Sequence, residues 1–233
     1  MSDQHIASAF DRDLETIQAH IMKMGGLVEE SITGAARSLE TRDEELAQEV
    51  RQKDKAIDEL EELVNEETAR LIALRSPTAS DLRLVLSVMK VSGNLERIGD
   101  YSKNIAKRTT VLVTATEING SAAALRRMAR EVEMMLRDAL DAYIQRDSEL
   151  ASDVIERDQE VDQMYNGLFR EFLTFMAEDP RNISACMHLH FIAKNIERMG
   201  DHVTAIAEQV VYLVTGERPA EARPKADNTS QTV

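Results

Sequence analysis

The sequence predicts an all-α protein that is a tandem duplication of two three-helix bundles, six long helices in all. Three observations predict this fold: apolar residues recur at helical spacing over long stretches, glycine and proline are scarce, and the second half of the chain repeats the first. Only 9 glycines and 4 prolines occur among 233 residues. Apolar residues that alternate three and four positions apart form the buried stripe of a long helix in a bundle.

Stripes and turn signals divide the chain into helices. The stripe of the first helix runs over 10–39, and that of the last helix runs over 189–213. Ser76-Pro77 and Asp179-Pro180 each place a capping residue before a proline, which predicts a helix start. The segment 116–123, TEINGSAA, predicts a turn in the middle of the chain. The six predicted helices lie at about 5–40, 43–75, 78–114, 121–145, 148–178 and 181–214.

The six helices are two copies of three. Residues 42–58 align with 146–162, and residues 94–108 align with 195–209, with many identical positions in both pairs. The third helix is apolar nearly all round at its start, so we expect the two bundles to contact each other there. The predicted domains are residues 1–117 and 118–215, followed by a polar, proline-containing tail at 216–233 that we expect to be disordered.

Charge and composition exclude several classes of function. The net charge of −14 argues against a nucleic-acid binder, which needs a basic surface, and against docking on anionic lipid. Cys186 is the only cysteine, so an internal disulfide is impossible and a reducing cytosol is the expected compartment. The N-terminus lacks the features of a signal peptide, and the longest apolar stretch, 82–91, is too short for a transmembrane helix. We therefore expect a cytoplasmic protein that does not insert into the membrane.

Acidic pairs four residues apart recur in matching places of the two repeats. The third helices carry NLERIGDYSKNIA, beginning at Asn94, and NIERMGDHVTAIA, beginning at Asn195. Each motif has a Glu and an Asp one helical turn apart with a glycine between them. The second helices each add a pair of aspartates. The eight acids are Asp54, Asp58, Glu96 and Asp100 in the first repeat, and Asp158, Asp162, Glu197 and Asp201 in the second.

Like charges one turn apart destabilise a helix, and so does a glycine in its interior. If the second and third helices are antiparallel neighbours, the four acids of each repeat converge on an outer groove between them. A bound cation would relieve their repulsion, and oxygen ligands suit magnesium, calcium, manganese or iron. Three alternatives stay open: ordinary solvated charge, salt bridges from Arg97 and Arg198, and, more weakly, anion binding at these arginines. The glycines indicate that a facing helix or a cluster approaches the backbone.

The paired motifs resemble those of the PhoU family, the regulators of bacterial phosphate uptake. The resemblance covers about residues 5–214 and rests on ERxGD in both third helices and DxxxD in both second helices. It implies a cytoplasmic homodimer that negatively regulates the phosphate-starvation response. It also implies two partners, the ATPase subunit of the phosphate ABC transporter and the phosphate-sensing histidine kinase. At the eight acids it implies a metal, whose identity stays open among iron, manganese, magnesium and zinc.

Two functions of different class follow. The first is a non-enzymatic signalling adaptor that binds the transporter and the kinase. The second is a carboxylate-ligated metalloenzyme, either a phosphohydrolase or a di-iron oxidase. Di-iron helical bundles use Glu-x-x-His motifs in the bundle core, and both acidic motifs here lack the histidine. The sequence therefore favours the adaptor and predicts that the chain is not an enzyme.

Overall fold

A computed structural model of the chain describes residues 2–77 and 79–217, with side chains from 9–77 and 81–217. Within these ranges the chain forms six α-helices, one 3-10 turn and no strand, which confirms the predicted fold class. The elements are α1 (Ser2–Thr41), α2 (Glu44–Arg75), α3 (Ala79–Leu112), α4 (Ser121–Gln145), α5 (Ser148–Glu178), the 3-10 turn (Pro180–Asn182) and α6 (Ile183–Thr215). The predicted tail lies outside the described residues from 218 onward, and the predicted domain boundaries stay a prediction.

The duplicated turns cap their helices in the same way. Asp43 precedes α2 and accepts a hydrogen bond from the backbone N–H of Leu46 at 2.9 Å. Asp147, the aligned residue of the second repeat, accepts hydrogen bonds from the backbone N–H groups of Glu149 and Leu150. Each carboxylate satisfies backbone donors that the first turn of a helix leaves without a partner. The repeat in sequence is thus also a repeat in local structure.

Only one of the two predicted proline caps is correct. Asp179 accepts a hydrogen bond from the backbone N–H of Arg181 and begins the 3-10 turn that leads into α6. Ser76 does not cap the start of α3 as predicted. It ends α2 in the left-handed conformation, with φ 45°, and its N–H donates to the carbonyl of Ile72. A serine before a proline fits the end of one helix as well as the start of the next, because the residue before a proline is disfavoured in the helical conformation.

Each repeat is a bundle in which all three helices pack on one another. The two repeats contact each other where α3 packs on α6 and where α1 packs on α4. The apolar start of α3 predicted that this helix would contact the other repeat. The guanidinium of Arg83 lies 5.3 Å from the ring centre of Tyr212, and that of Arg108 lies 4.3 Å from the ring centre of Phe191. The start of α3 therefore meets the end of α6, and the two helices are antiparallel.

Candidate functional site

The first carboxylate cluster, which comprises Asp54, Asp58, Glu96 and Asp100, lies between α2 and α3. These helices are antiparallel, because Asp54 in the first half of α2 contacts Lys103 in the second half of α3. Lys103 joins the two helices: its ammonium group contacts the carboxylate of Asp54 and lies 3.5 Å from that of Asp100. The structure thus brings together acids that are about 40 residues apart in the sequence, as predicted.

The four carboxylates of the first cluster are close enough to repel one another. The pKa of Asp58 is raised by partial burial and then by the charges of Asp54 and Asp100, although Lys103 opposes the shift. Partial burial and then the charge of Asp100 raise the pKa of Glu96, while the charge of Arg97 lowers it. The hydrogen bond to Asp54 in turn raises the pKa of the Lys103 ammonium. The cluster is therefore a carboxylate network held together by an internal cation.

The second carboxylate cluster, which comprises Asp158, Asp162, Glu197 and Asp201, repeats the arrangement between α5 and α6. Glu197 accepts a hydrogen bond from Lys194 at 2.9 Å through Oε1, and Oε2 is buried without a hydrogen-bond partner among the described residues. Burial raises the pKa of Glu197 most, and the charges of Asp201 and Asp162 add to the increase, while Lys194 lowers it. Lys194 also lies 4.8 Å from the ring centre of Tyr165 on α5. An ammonium group thus faces the second cluster too.

The predicted outer position of the acids is wrong for half of them. Asp54, Asp158 and Asp162 are 1–2% exposed, and Glu197 is 4% exposed. These side chains flank the apolar seam of their helix, and in an antiparallel pair that flank lies under the neighbouring helix rather than in water. Buried carboxylates require a partner, since an isolated charge is strongly disfavoured away from water. The other four acids are half-buried at the rim.

The glycines of the two motifs are explained by a facing helix. A Cβ added to Gly99 would lie 3.0 Å from Cδ1 of Ile57, and one added to Gly200 would lie 2.9 Å from Oδ1 of Asp158. Both distances are shorter than ordinary van der Waals contact. Glycine therefore lets the second helix of each repeat approach the third closely enough to place its aspartate against the motif.

The arginine salt bridges that the sequence left open as an alternative to metal are present in one repeat only. Arg97 lies 3.5 Å from Glu96 and 3.6 Å from Asp100, but its side chain is 60% exposed, so water screens these pairs. Arg198, at the matching position, is exposed and makes no ion pair within residues 9–77 and 81–217. The arginines are thus secondary to the lysines as counterions.

The donor chemistry of both clusters suits a hard cation, but the arrangement is not a coordination shell. The part of the chain that the structure describes contains no group of three or more His, Cys, Asp or Glu side chains placed to hold a metal ion. In the first cluster an ammonium group stands between carboxylates of α2 and α3, where a cation would bind. Metal binding at the eight acids therefore stays a prediction.

Comparison with known families decides which group this chain belongs to. The model of the PhoU domain matches it twice, over residues 21–109 and 125–210. The chain belongs to the PhoU family. The two matches coincide with the two three-helix repeats, so the duplication seen in the sequence is the family's own repeat.

Curated PhoU relatives match over nearly the whole chain. The "Phosphate-specific transport system accessory protein PhoU homolog" of Rhizobium meliloti is 44% identical, and the match covers 99% of this chain and 97% of the relative. The protein of the same name from Zymomonas mobilis is 48% identical over 93% of this chain and 91% of its own. These names describe an accessory protein of a transport system, a non-enzymatic role, which confirms the prediction that the chain is not an enzyme.

Solved PhoU structures share the fold. The crystal structure of PhoU from Pseudomonas aeruginosa superposes with a TM-score of 0.87 at 40% identity, covering 89% of this chain and all of that one. The phosphate transport system regulatory protein PhoU from Streptococcus pneumoniae superposes with a TM-score of 0.83 at 30% identity, covering 91% of this chain and all of that one. Among the residues described here, none of the helices has the length and apolar character needed to cross a membrane.

Lys103 and Lys194 are the two cluster side chains that the sequence did not predict. Lys103 stands within the first PhoU motif, three residues after Asp100, and three residues is a same-face spacing in a helix. Lys194 stands one residue before the second motif and three residues before Glu197. In both cases the three-residue spacing places the lysine on the same helix face as an acid, but the arginine shared by the two motifs is the more obvious counterion in the sequence.

Proposed function

We propose that this chain is a cytoplasmic regulator of phosphate uptake and phosphate homeostasis. It serves as an accessory protein of a phosphate transport system and restrains the phosphate-starvation response. The observation that carries the proposal is the near full-length match to relatives named as accessory proteins of phosphate-specific transport. The protein from Streptococcus pneumoniae is named a phosphate transport system regulatory protein, which supports the regulatory role.

We further propose that the protein acts as an adaptor between two partners, the ATPase subunit of the phosphate ABC transporter and the phosphate-sensing histidine kinase. A signal can pass through such an adaptor only if its two states differ in affinity for one partner. Exposed apolar side chains on α3 and α6, among them Leu86, Met89 and Phe191, are available for contact with a partner. We also propose that the protein is a homodimer.

A deletion experiment tests the regulatory role. In phosphate-rich medium, loss of this gene should raise the expression of phosphate-starvation functions, such as secreted phosphatase activity, and a plasmid copy should restore repression. Unchanged starvation output in the deletion strain would contradict the proposal. For the adaptor role, the purified protein should bind both the ATPase subunit and the cytoplasmic part of the kinase, and failure to bind either would reject that role.

We propose in addition that the carboxylate clusters bind a hard divalent or iron-type cation. The support is chemical: each cluster gathers four carboxylates from two helices, and the second contains a buried oxygen, Oε2 of Glu197, that no described group hydrogen-bonds. A cation that binds only the folded state stabilises it by about 2.7 kcal/mol at a hundred times its dissociation constant. For a chain of this size that corresponds to a rise in melting temperature of roughly 5–10 °C.

The cation proposal is tested by thermal unfolding of stripped protein with and without manganese, iron or magnesium. Asp100→Asn combined with Asp201→Asn should remove most of the rise. Because the substitution also relieves repulsion within the clusters, the metal-free variant should be as stable as the metal-free wild type or slightly more stable. If metal has no effect and the double variant is less stable, the clusters act only as ion-paired helix contacts.

A further inference from the structure

Each carboxylate cluster contains one lysine, and the internal repeat does not account for either of them. The position that matches Lys103 in the second repeat is Thr204, whose hydroxyl donates to the carbonyl of Gly200 at 2.8 Å. The position that matches Lys194 in the first repeat is Gly93. The two repeats therefore place an ammonium group at equivalent clusters from two different points of the third helix.

In the first cluster the ammonium group lies between the two helices. Lys103 contacts Asp54, whose side chain is 3% exposed, and lies 3.5 Å from Asp100. The lysine side chain itself is 41% exposed, so its end borders on water. The lysine holds a position between carboxylates of α2 and α3, and it has an open path from that position into solvent.

In the second cluster the ammonium group approaches from the start of the motif. Lys194 donates to Oε1 of Glu197, whose side chain is 5% exposed, while Oε2 of the same carboxylate has no hydrogen-bond partner among the described residues. Lys194 also rests near the face of Tyr165, which attracts a cation. A buried carboxylate oxygen without a donor is a place where a further cationic ligand would be favoured.

We propose that Lys103 and Lys194 are built-in counterions that compete with a hard cation for the two clusters. Each cluster then has two states, one closed by lysine and one bound to a cation, and the lysines set the cation concentration at which the protein changes state. The proposal rests on the cation binding proposed above. It assigns the lysines a positioning role, since they act through the carboxylates and contact no cation themselves.

The exchange is physically reasonable at each cluster. A lysine has a flexible four-carbon stem and a strongly hydrated ammonium, so it can withdraw into water without breaking the helix. The buried carboxylate that the lysine leaves, Asp54 or Glu197, cannot follow it into water, and a divalent cation would replace the lost charge while accepting oxygen ligands from both helices. One ammonium group cannot neutralise four carboxylates, so a cluster closed by lysine keeps an excess of negative charge.

Manganese binding to four purified proteins tests the competition, with electron paramagnetic resonance used to count free Mn²⁺. The proteins are the wild type, Lys103→Met, Lys194→Met and the control Lys107→Met. Lys107 lies on α3 one turn after Lys103, is exposed, and makes no ion pair with any described residue. Each cluster variant should bind one Mn²⁺ about tenfold more tightly than the wild type, equivalent to about 1.4 kcal/mol, and Lys107→Met should not differ. Lys103→Arg, which keeps the charge, should retain the affinity of the wild type.

The outcomes separate this inference from the proposal on which it rests. Saturable binding with the same or weaker affinity in both cluster variants would overturn the competition but leave cation binding intact. Absence of saturable binding in every protein would overturn cation binding itself, and the competition with it. If Lys103→Met fails to fold because Asp54 loses its partner, the double variant Asp54→Asn, Lys103→Met removes both charges, and Lys194→Met supplies the affinity test.

Discussion

Replacement of Gly200 by alanine would test whether close helix approach, rather than helix propensity, governs the motif. Alanine stabilises a helix interior by about 1 kcal/mol relative to glycine. At Gly200 the added Cβ would lie 2.9 Å from Oδ1 of Asp158 and 3.4 Å from Cγ1 of Val161. Asp158 is 1% exposed and cannot swing into solvent. Overpacking of this kind costs about 1–3 kcal/mol, so Gly200→Ala should have no net benefit or should destabilise the protein by up to about 2 kcal/mol.

Gly167→Ala is the matched control. Gly167 lies inside α5 of the same repeat, and a Cβ there would meet nothing within 4 Å, so its substitution should stabilise the protein by about 1 kcal/mol. The change in stability for Gly99→Ala should lie between those for Gly200→Ala and Gly167→Ala, because its Cβ would meet the flexible end of Ile57. Thermal unfolding followed by circular dichroism should separate Gly200→Ala from Gly167→Ala by roughly 3–10 °C. Equal stabilisation by both substitutions would refute the close-approach explanation.

Two further predictions concern single residues. Arg146 ends α4 in the left-handed conformation, with φ 58°, which costs a non-glycine residue about 1–2 kcal/mol. Arg146→Gly should therefore raise the urea midpoint of unfolding, and a lower midpoint would contradict this explanation. Arg42→Gly should raise the midpoint less, because Arg42, with φ 53°, also donates a hydrogen bond to the carbonyl of Ala115. Burial raises the pKa of Glu197, so the folded state binds its proton more tightly than the unfolded state does. The stability gained from this protonation is lost as the pH rises through the folded pKa. Glu197→Gln should therefore have a higher melting temperature than the wild type at pH 7, and the difference should shrink towards pH 4. A constant difference across this range would show that the charge of Glu197 does not cause it.

The sequence was sufficient to predict the helices and the repeat, because both depend on local patterns. The stripes at 10–39 and 189–213 became buried helix faces, and Asp43 and Asp147 became matching caps. The acids were also predicted to converge, since the antiparallel pairing of α2 with α3 follows from a short connection. These features need only spacing and chain order.

Burial and charge pairing could not be predicted in the same way. Whether Asp54 lies in water or beneath α3 depends on how closely the helices approach, which Gly99 decides together with Ile57. The choice of lysine over arginine as counterion depends on which side chain points between the helices. Ser76 was misassigned for a related reason: the same serine-proline pair fits the end of one helix and the start of the next, and only the backbone conformation distinguishes them.

The antiparallel packing of α3 on α6 has a consequence for how the two halves of the molecule stay together. Two separate three-helix units could form this contact only by meeting in solution. The segment 113–120 instead tethers them, and a short tether raises the effective concentration of one half near the other to the millimolar range. Cleavage of the chain within that segment would leave two halves whose association depends on dilution. The covalent link therefore makes the paired carboxylate clusters a fixed property of one molecule at any cellular concentration.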